Sequence, residues 1–358
     1  MAHRSLWPVV PLALLGASCT LDPAALAVAD TFFQGSDPQV DVVFVVDDSN
    51  SMAALQGSLA AGVPTLLGGL DAAGVDYQIG VVTTDMDDPD RRGRLVNGTI
   101  VAPGTPGGAA ALAAAMQPGI LGSQLERGLA AAHGALTPPL ATHENEGIRR
   151  DDARVAVVIV SDEDDCSDDG ALPAGDPGAC ASLPGSLVPL SEYALAFRAL
   201  VDDPADASVH ALVETGAIGE FEGCGGLNVG TRYVDLAQSF GGFVSEHCAD
   251  TTGVMNELAL QIAGRRSAFP LSRTPDPRSI SVILATDVQP IGDDDDSAGP
   301  NDGVNPNEQL VGTQVPEDVT RVDGWTYDAE ANTLRLWGPS LPGLGDAIQI
   351  RYTVATSG

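Results

Sequence analysis

Three short segments of this chain concentrate oxygen ligands: Asp47-Asp48-Ser49-Asn50-Ser51, Thr83-Thr84-Asp85 and Ser161-Asp162-Glu163-Asp164-Asp165. None contains His, Cys or a basic residue. Carboxylates and hydroxyls without nitrogen or sulfur suit a hard cation, Mg²⁺ first, with Mn²⁺ or Ca²⁺ as alternatives, rather than zinc. The spacing Asp47-x-Ser49-x-Ser51 supplies one carboxylate and two hydroxyls, and Asp48, Asp85, Glu163, Asp164 and Asp165 add further charge. A single Asp or Ser per loop would be explained by capping of a following helix. Three such loops brought together would repel one another unless a cation sat among them.

The elements that must position these segments are legible around them. Gln39–Val46 is a nearly continuous β-branched run, followed by apolar runs at 77–82, 155–160 and 209–213. Runs of this kind form central strands of a parallel sheet covered on both faces. Helical periodicity covers 53–73, 122–136, 190–201, 231–240 and 251–263, and Asn97-Gly98 marks a turn in an Arg-rich hairpin. Strands alternating with helices over residues 39–265 predict an α/β domain with a doubly wound, mostly parallel sheet. In such sheets ligands bind outside the carboxyl ends of the strands, where the three acidic segments fall.

From residue 266 to residue 358 the texture changes. Pro270, Pro275 and Pro277 exclude helix, and short strands at 279–285, Thr333–Trp337 and 347–354 predict a small β-rich domain. Its loop 292–304 holds Asp293 to Asp296 and Asp302 with no basic residue. Contiguous carboxylates make this a solvated acidic loop rather than a calcium loop, whose ligands alternate around a Gly. Trp325, Tyr327, Trp337 and Tyr352 are expected to pack the β core, with a carbohydrate platform as the alternative.

Composition narrows the function. The 358 residues suffice for two or three domains. Forty-nine acidic side chains face 17 basic ones, all Arg, for a net charge of -32. Unaided binding to nucleic acid or an anionic bilayer is therefore disfavoured. Without Lys there is no Schiff base and no Walker-type phosphate clamp. The elbow G-x-S-x-G of serine hydrolases is absent. Haloacid-dehalogenase phosphatases also place an Asp after a strand, but they need a second Asp where this chain has Ser49. His133, His143, His210 and His247 are scattered singly, which fits packing or surface roles better than catalysis. The chain is expected to bind rather than to catalyse.

The motif Asp47-x-Ser49-x-Ser51, directly after a hydrophobic strand, resembles the metal-ion-dependent adhesion site (MIDAS) of von Willebrand factor A domains. Gly122-Ser123-Gln124-Leu125-Glu126-Arg127-Gly128-Leu129 looks like that family's Gly-Thr-opened helix, with Ser123 in place of Thr. Val157-Val-Ile-Val-Ser-Asp162 looks like its strand ending in Thr-Asp-Gly, with Glu163 in place of Gly. The resemblance covers roughly residues 39–264 and implies a divalent cation held by Asp47, Ser49, Ser51, Ser123 and Asp162, partly through water. It also implies an open coordination position that grips an Asp or Glu of a protein partner. Asp85, Asp48 and Glu163 would lie near the metal. The rival expectation is a structural envelope component whose metal only staples loops, without ligand exchange.

Residues 1–18 have the layout of a secretory signal: one early positive charge, then an apolar stretch of about 20 Å as a helix, too short for a bilayer. Leu15-Gly16-Ala17-Ser18-Cys19 resembles the lipobox of bacterial lipoproteins. That resemblance implies lipid on Cys19 and, with Thr20 following, an outer-membrane address; plain secretion is the alternative. Residues 19–38 are then a tether. Cys166, Cys180, Cys224 and Cys248 form an even set, as in an oxidising compartment. Pairing by proximity joins Cys166 to Cys180 and Cys224 to Cys248, one of three connectivities. Ser161 to Ser167 also looks like a bacterial lipoprotein subgroup of these domains, in which a cysteine follows the acidic cluster.

Overall fold

Val42, Val43, Phe44, Val45 and Val46 are completely buried because their strand lies in the middle of a six-stranded sheet with helices on both faces. The computed structural model describes residues 26–33, 39–173, 176, 178–215, 229–264, 267–286, 310–343 and 345–354. In chain order the strands are β1 (Ala27–Phe33), β2 (Gln39–Val46), β3 (Asp76–Thr83), β4 (Ile100–Val101), β5 (Arg154–Val160), β6 (Ala207–Val213) and β7 (Val244–Glu246). They continue with β8 (Ala268–Pro270), β9 (Ser281–Ala285), β10 (Thr313–Val315), β11 (Gly324–Asp328), β12 (Thr333–Trp337) and β13 (Ala347–Thr353). The helices are α1 (Ala53–Ala72), α2 (Gly108–Ala115), α3 (Gly128–Leu136), α4 (Ala179–Ser182), α5 (Leu190–Arg198), α6 (Thr231–Ser239) and α7 (Thr251–Ile262).

The large sheet runs β4-β3-β2-β5-β6-β7, parallel except for the short edge strand β4. Side chains alternate between faces along β2. Val40, Val42, Phe44 and Val46 join the core that includes Leu66 of α1, Leu112 of α2 and Met255 of α7. Val43 and Val45 join the opposite core with Leu129 of α3, Phe197 of α5 and Leu236 of α6. Each such buried side chain contributes roughly 1.5–3 kcal/mol. Residues 50–72 are long and apolar enough to cross a membrane by length and composition alone, yet here α1 packs against α7. A Cβ on Gly69 would lie 2.7 Å from that of Ala259, so glycine permits the close crossing.

After β2 the chain returns on one side as β3 and later on the other as β5. The order thus reverses at β2, where a crevice opens outside the carboxyl ends. The amino end of β2 is closed by an ion pair: buried Asp41 accepts from Arg150 Nε at 2.8 Å, and Arg150 Nη1 reaches Asp76 at 2.9 Å.

The C-terminal residues form two antiparallel sheets, β1-β13-β9-β10 and β11-β12-β8, around Phe269, Val282, Trp325, Leu334, Ile348 and Tyr352. Trp325 and Tyr352 lie in this core, while Trp337 is half-buried with Arg321 over its ring. One expectation is corrected here. Residues 27–33, read as part of a tether, are β1, paired with β13 from Ala27↔Thr353 to Phe33↔Ala347. Thr31 and Phe32 supply the strand propensity, and Tyr352 donates to Asp30 at 2.8 Å. The signal segment, Cys19, Cys224 and the acidic loop 292–304 lie outside the described residues.

Candidate metal centre at the carboxyl edge of the sheet

Asp47 leaves the end of β2 with its backbone N–H donating to Val160 of β5 at 2.9 Å, which ties the first acidic segment to the third. Its carboxylate accepts from Ser49 N at 2.7 Å on one oxygen and from Ser161 Oγ at 2.6 Å on the other. Ser49 Oγ and Ser51 Oγ are 3.0 Å apart, and Ser51 Oγ donates to Asp162 at 3.1 Å. Asp47, Ser49, Ser51 and Asp162 are therefore one hydrogen-bonded cluster. Ser51 is exposed and marks its mouth; the others are buried. Gln56 on α1 donates to the carbonyls of Asp47 and Gly119, holding the first loop against the loop before α3.

Further carboxylates crowd this cluster. Asp48 is buried and paired with Arg91 from the loop after β3. Gly122 N donates to Asp48 O at 2.8 Å, and a Cβ on Gly122 would fall 2.3 Å from the Asp48 carboxylate, so only glycine fits. Glu126 is buried and accepts from Thr84 Oγ1. Burial and then the charge of Asp47 push its carboxyl up to about 10. Burial, with Asp47 and Asp162 behind it, pushes Glu163 up to about 7. Burial pushes Asp48 up to about 6 against the opposing pull of Arg91. Asp47 is raised too, burial outweighing its hydrogen bonds.

These residues fit a divalent cation. Among the described residues, Asp48 Oδ1 and Glu126 Oε1 are buried oxygens without a hydrogen-bond partner, the cost of which is removed by a positive charge. The donor set is all oxygen, the ligand class of Mg²⁺, Mn²⁺ or Ca²⁺.

No protein-family model matches the chain, and no curated protein matches it. Among solved structures, it is similar to the open conformation of the pilus adhesin SpaC from Lactobacillus rhamnosus GG (14% identity, TM-score 0.40), covering 92% of this chain and 41% of the adhesin. It is likewise similar to a von Willebrand factor type A protein from Catenulispora acidiphila (13% identity, TM-score 0.37), covering 93% of this chain and 66% of that one. The chain thus spans less than half of the adhesin's length. The fold itself is a doubly wound α/β sheet, parallel except at one edge, accompanied by two antiparallel sheets.

Two expectations for the α/β domain are revised by the structure. The predicted helix 122–136 begins only at Gly128. The backbone groups that would have started it earlier are used between loops: Arg127 N donates to Thr84 O, and Glu126 O accepts from Cys166 N. Ser123 consequently lies beside Asp87, to which its hydroxyl donates at 2.8 Å, and not in the hydrogen-bonded Asp47 cluster. Glu126, from the same segment, faces the cluster instead; its place between buried Leu125 and Leu129 was the available signal. Asp85 accepts from Asp87 N and Asp88 N and shapes the loop that carries Arg91. Asp165 accepts from Leu129 N at the start of α3 and pairs with Arg232 of α6, a structural role.

Cys166 and Cys180 form a disulfide that pins the third acidic segment, and Cys248 is disulfide-bonded too. His210 and His247 behave oppositely. His210 is buried, accepts from Phe243 N and is held down to about 4 by burial. His247, expected to stand alone, is gathered with Glu214 and Glu246.

Proposed function

We propose that this protein is a non-catalytic binding module of a bacterial cell envelope that holds Mg²⁺, or Mn²⁺ or Ca²⁺ in its place, at Asp47, Ser49, Ser51 and Asp162. Glu126, Asp48 and Glu163 surround it with carboxyl groups that can ionise toward the cation, and Ser123 acts through Asp87 at the rim. When bound, the cation supplies an electrophilic position that accepts a carboxylate from a partner protein. The observation that carries this reading is the mostly buried, all-oxygen cluster of Asp47, Ser49, Ser51 and Asp162, beside Asp48 and Glu126, which each hold a buried oxygen without a partner among the described residues. A cavity of about 250 Å³, lined by Ser51, Asp162, Met52, Leu55 and His247, opens beside the cluster and has room for an Asp or Glu side chain.

The disulfide between Cys166 and Cys180 supports an oxidising, extracytoplasmic location. Attachment through lipid on Cys19 belongs to the same reading. With β1 starting at Ala27, residues 20–26 would span at most about 25 Å, keeping the β sandwich close to the membrane.

The test is Asp47→Ala in the full chain, with Mg²⁺ and Mn²⁺ titrated by calorimetry and envelope proteins captured with and without EDTA. Loss of cation binding by at least about 100-fold, with capture lost in both the variant and EDTA, supports the module. Capture that persists without the cation refutes the carboxylate grip.

A further inference from the structure

We propose a second, chemically distinct cation site at Glu214, Glu246 and His247, one that takes a zinc-class dication. Glu214 directly follows β6, Glu246 ends β7, and His247 follows it. Strand pairing brings them together: Val213 registers with Glu246, and His247 N donates to Val213 O at 3.2 Å. One ligand atom from each of the three lies within 4.8 Å of the others. Neighbouring ligands on a tetrahedral zinc are about 3.4 Å apart, so side-chain movements of up to about 1.5 Å close the set.

The donor chemistry separates this site from the first. Two carboxylates and an imidazole make a mixed oxygen and nitrogen set, which favours zinc and its first-row neighbours over Mg²⁺ or Ca²⁺. A second, independent observation points to a ligand here. His247 Nδ1 is buried and has no hydrogen-bond partner among the described residues, an arrangement that costs free energy unless something coordinates or bonds the ring. Glu246 is oriented by Thr215, whose N–H and hydroxyl both donate to its carboxylate, the kind of support that ligating carboxylates use.

The placement gives the site a role. His247, Cys248 and Ala249 form one wall of the cavity whose other side carries Ser51 and Asp162. A dication on His247 fixes that wall and leaves a coordination position for water or a ligand group. The zinc-class site thus meets the cavity of the adhesion-type cluster through His247 alone, and neither site needs the other's ligands.

The experiment uses chelator-stripped full-length protein and zinc alone as the probe, with a chromophoric chelator as competitor. Asp47→Ala should still bind one zinc. In that background, Glu214→Gln and His247→Asn should each weaken zinc at least about tenfold. Bound cobalt(II) should show visible bands that change in His247→Asn. Circular dichroism confirms that each variant folds, and Glu214→Gln, a partly exposed isosteric change, keeps the test readable if His247→Asn does not. Absence of zinc binding in Asp47→Ala, or affinity unchanged by both substitutions, overturns the proposal. Magnesium binding to the parent is read separately, so failure of this site leaves the first one standing.

Discussion

Thr84 Oγ1 donates to one carboxylate oxygen of Glu126, while the other oxygen is buried without a partner. The end of β3 and the loop before α3 thus meet through a carboxyl group that burial and the charge of Asp47 push up to about 10. At neutral pH that group is protonated in the cation-free domain. Glu126→Gln replaces a neutral carboxyl by a neutral amide of the same shape, so stability should change by under about 1 kcal/mol. Cation affinity should fall about 10- to 100-fold, because the amide cannot ionise toward the metal. Thermal melting and calorimetry with Mg²⁺ check both halves. A destabilised variant with unchanged affinity would contradict the assignment.

Cation binding should be pH-dependent in a definite direction. Glu163 is raised to about 7 and Asp48 to about 6, in both cases chiefly by burial. Raised carboxyl groups hold protons that a cation must displace. Affinity should therefore fall as pH drops from about 7 through about 6, by up to about tenfold per pH unit for each proton displaced. Binding at pH 7 should release protons, seen as calorimetric heats that vary with buffer ionisation enthalpy. Affinity that rises on acidification rejects this.

At the opposite end of β2, Asp41 is fully buried and neutralised by Arg150. Arg150→Ala strands that carboxylate and should cost about 3–5 kcal/mol, read by urea denaturation. The pair Arg94 and Glu144, at 3.0 Å but with both side chains 39% exposed, is the internal comparison. Arg94→Ala should cost under about 1 kcal/mol. Equal losses would mean that burial does not set the difference.

Removing residues 26–33 should weaken the β sandwich and spare the metal centre. The deletion bares the edge of β13, takes Asp30 from Tyr352 and withdraws Phe32 from Phe269, whose ring lies 5.2 Å away. A loss of about 2–4 kcal/mol is expected for two half-buried apolar side chains and one partly buried hydrogen bond. Limited proteolysis should then cut within residues 267–354 while Mg²⁺ titration is unchanged. Protection identical to the full chain would show that β1 does not support the sandwich.

Much of this architecture was written locally. From Val40 to Val46 the chain is apolar on both alternating faces except at Asp41, and such a run has no stable place but the middle of a covered parallel sheet. The acidic and hydroxyl residues that end β2 and β5 then had to emerge at one edge, which is why Asp47, Ser49, Ser51 and Asp162 could be expected to meet there, as their hydrogen bonds do. The nearest-neighbour pairing of Cys166 with Cys180 was legible for a similar reason, a short loop between them.

What the sequence could not determine were relations between residues far apart in the chain. Whether Ser123 or Glu126 faces Asp47 depends on where α3 begins, and inter-loop hydrogen bonds from Thr84 and Cys166 decided that against local helical propensity. His247 looked solitary because Glu214 lies more than thirty residues earlier, and only the register of β6 with β7 unites them. Residues 27–33 read as a tether because a strand seven residues long declares itself only when an edge such as that of β13 supplies its hydrogen bonds. Local patterning determined which elements form; pairing register and loop closure, set by the whole fold, decided which side chains meet.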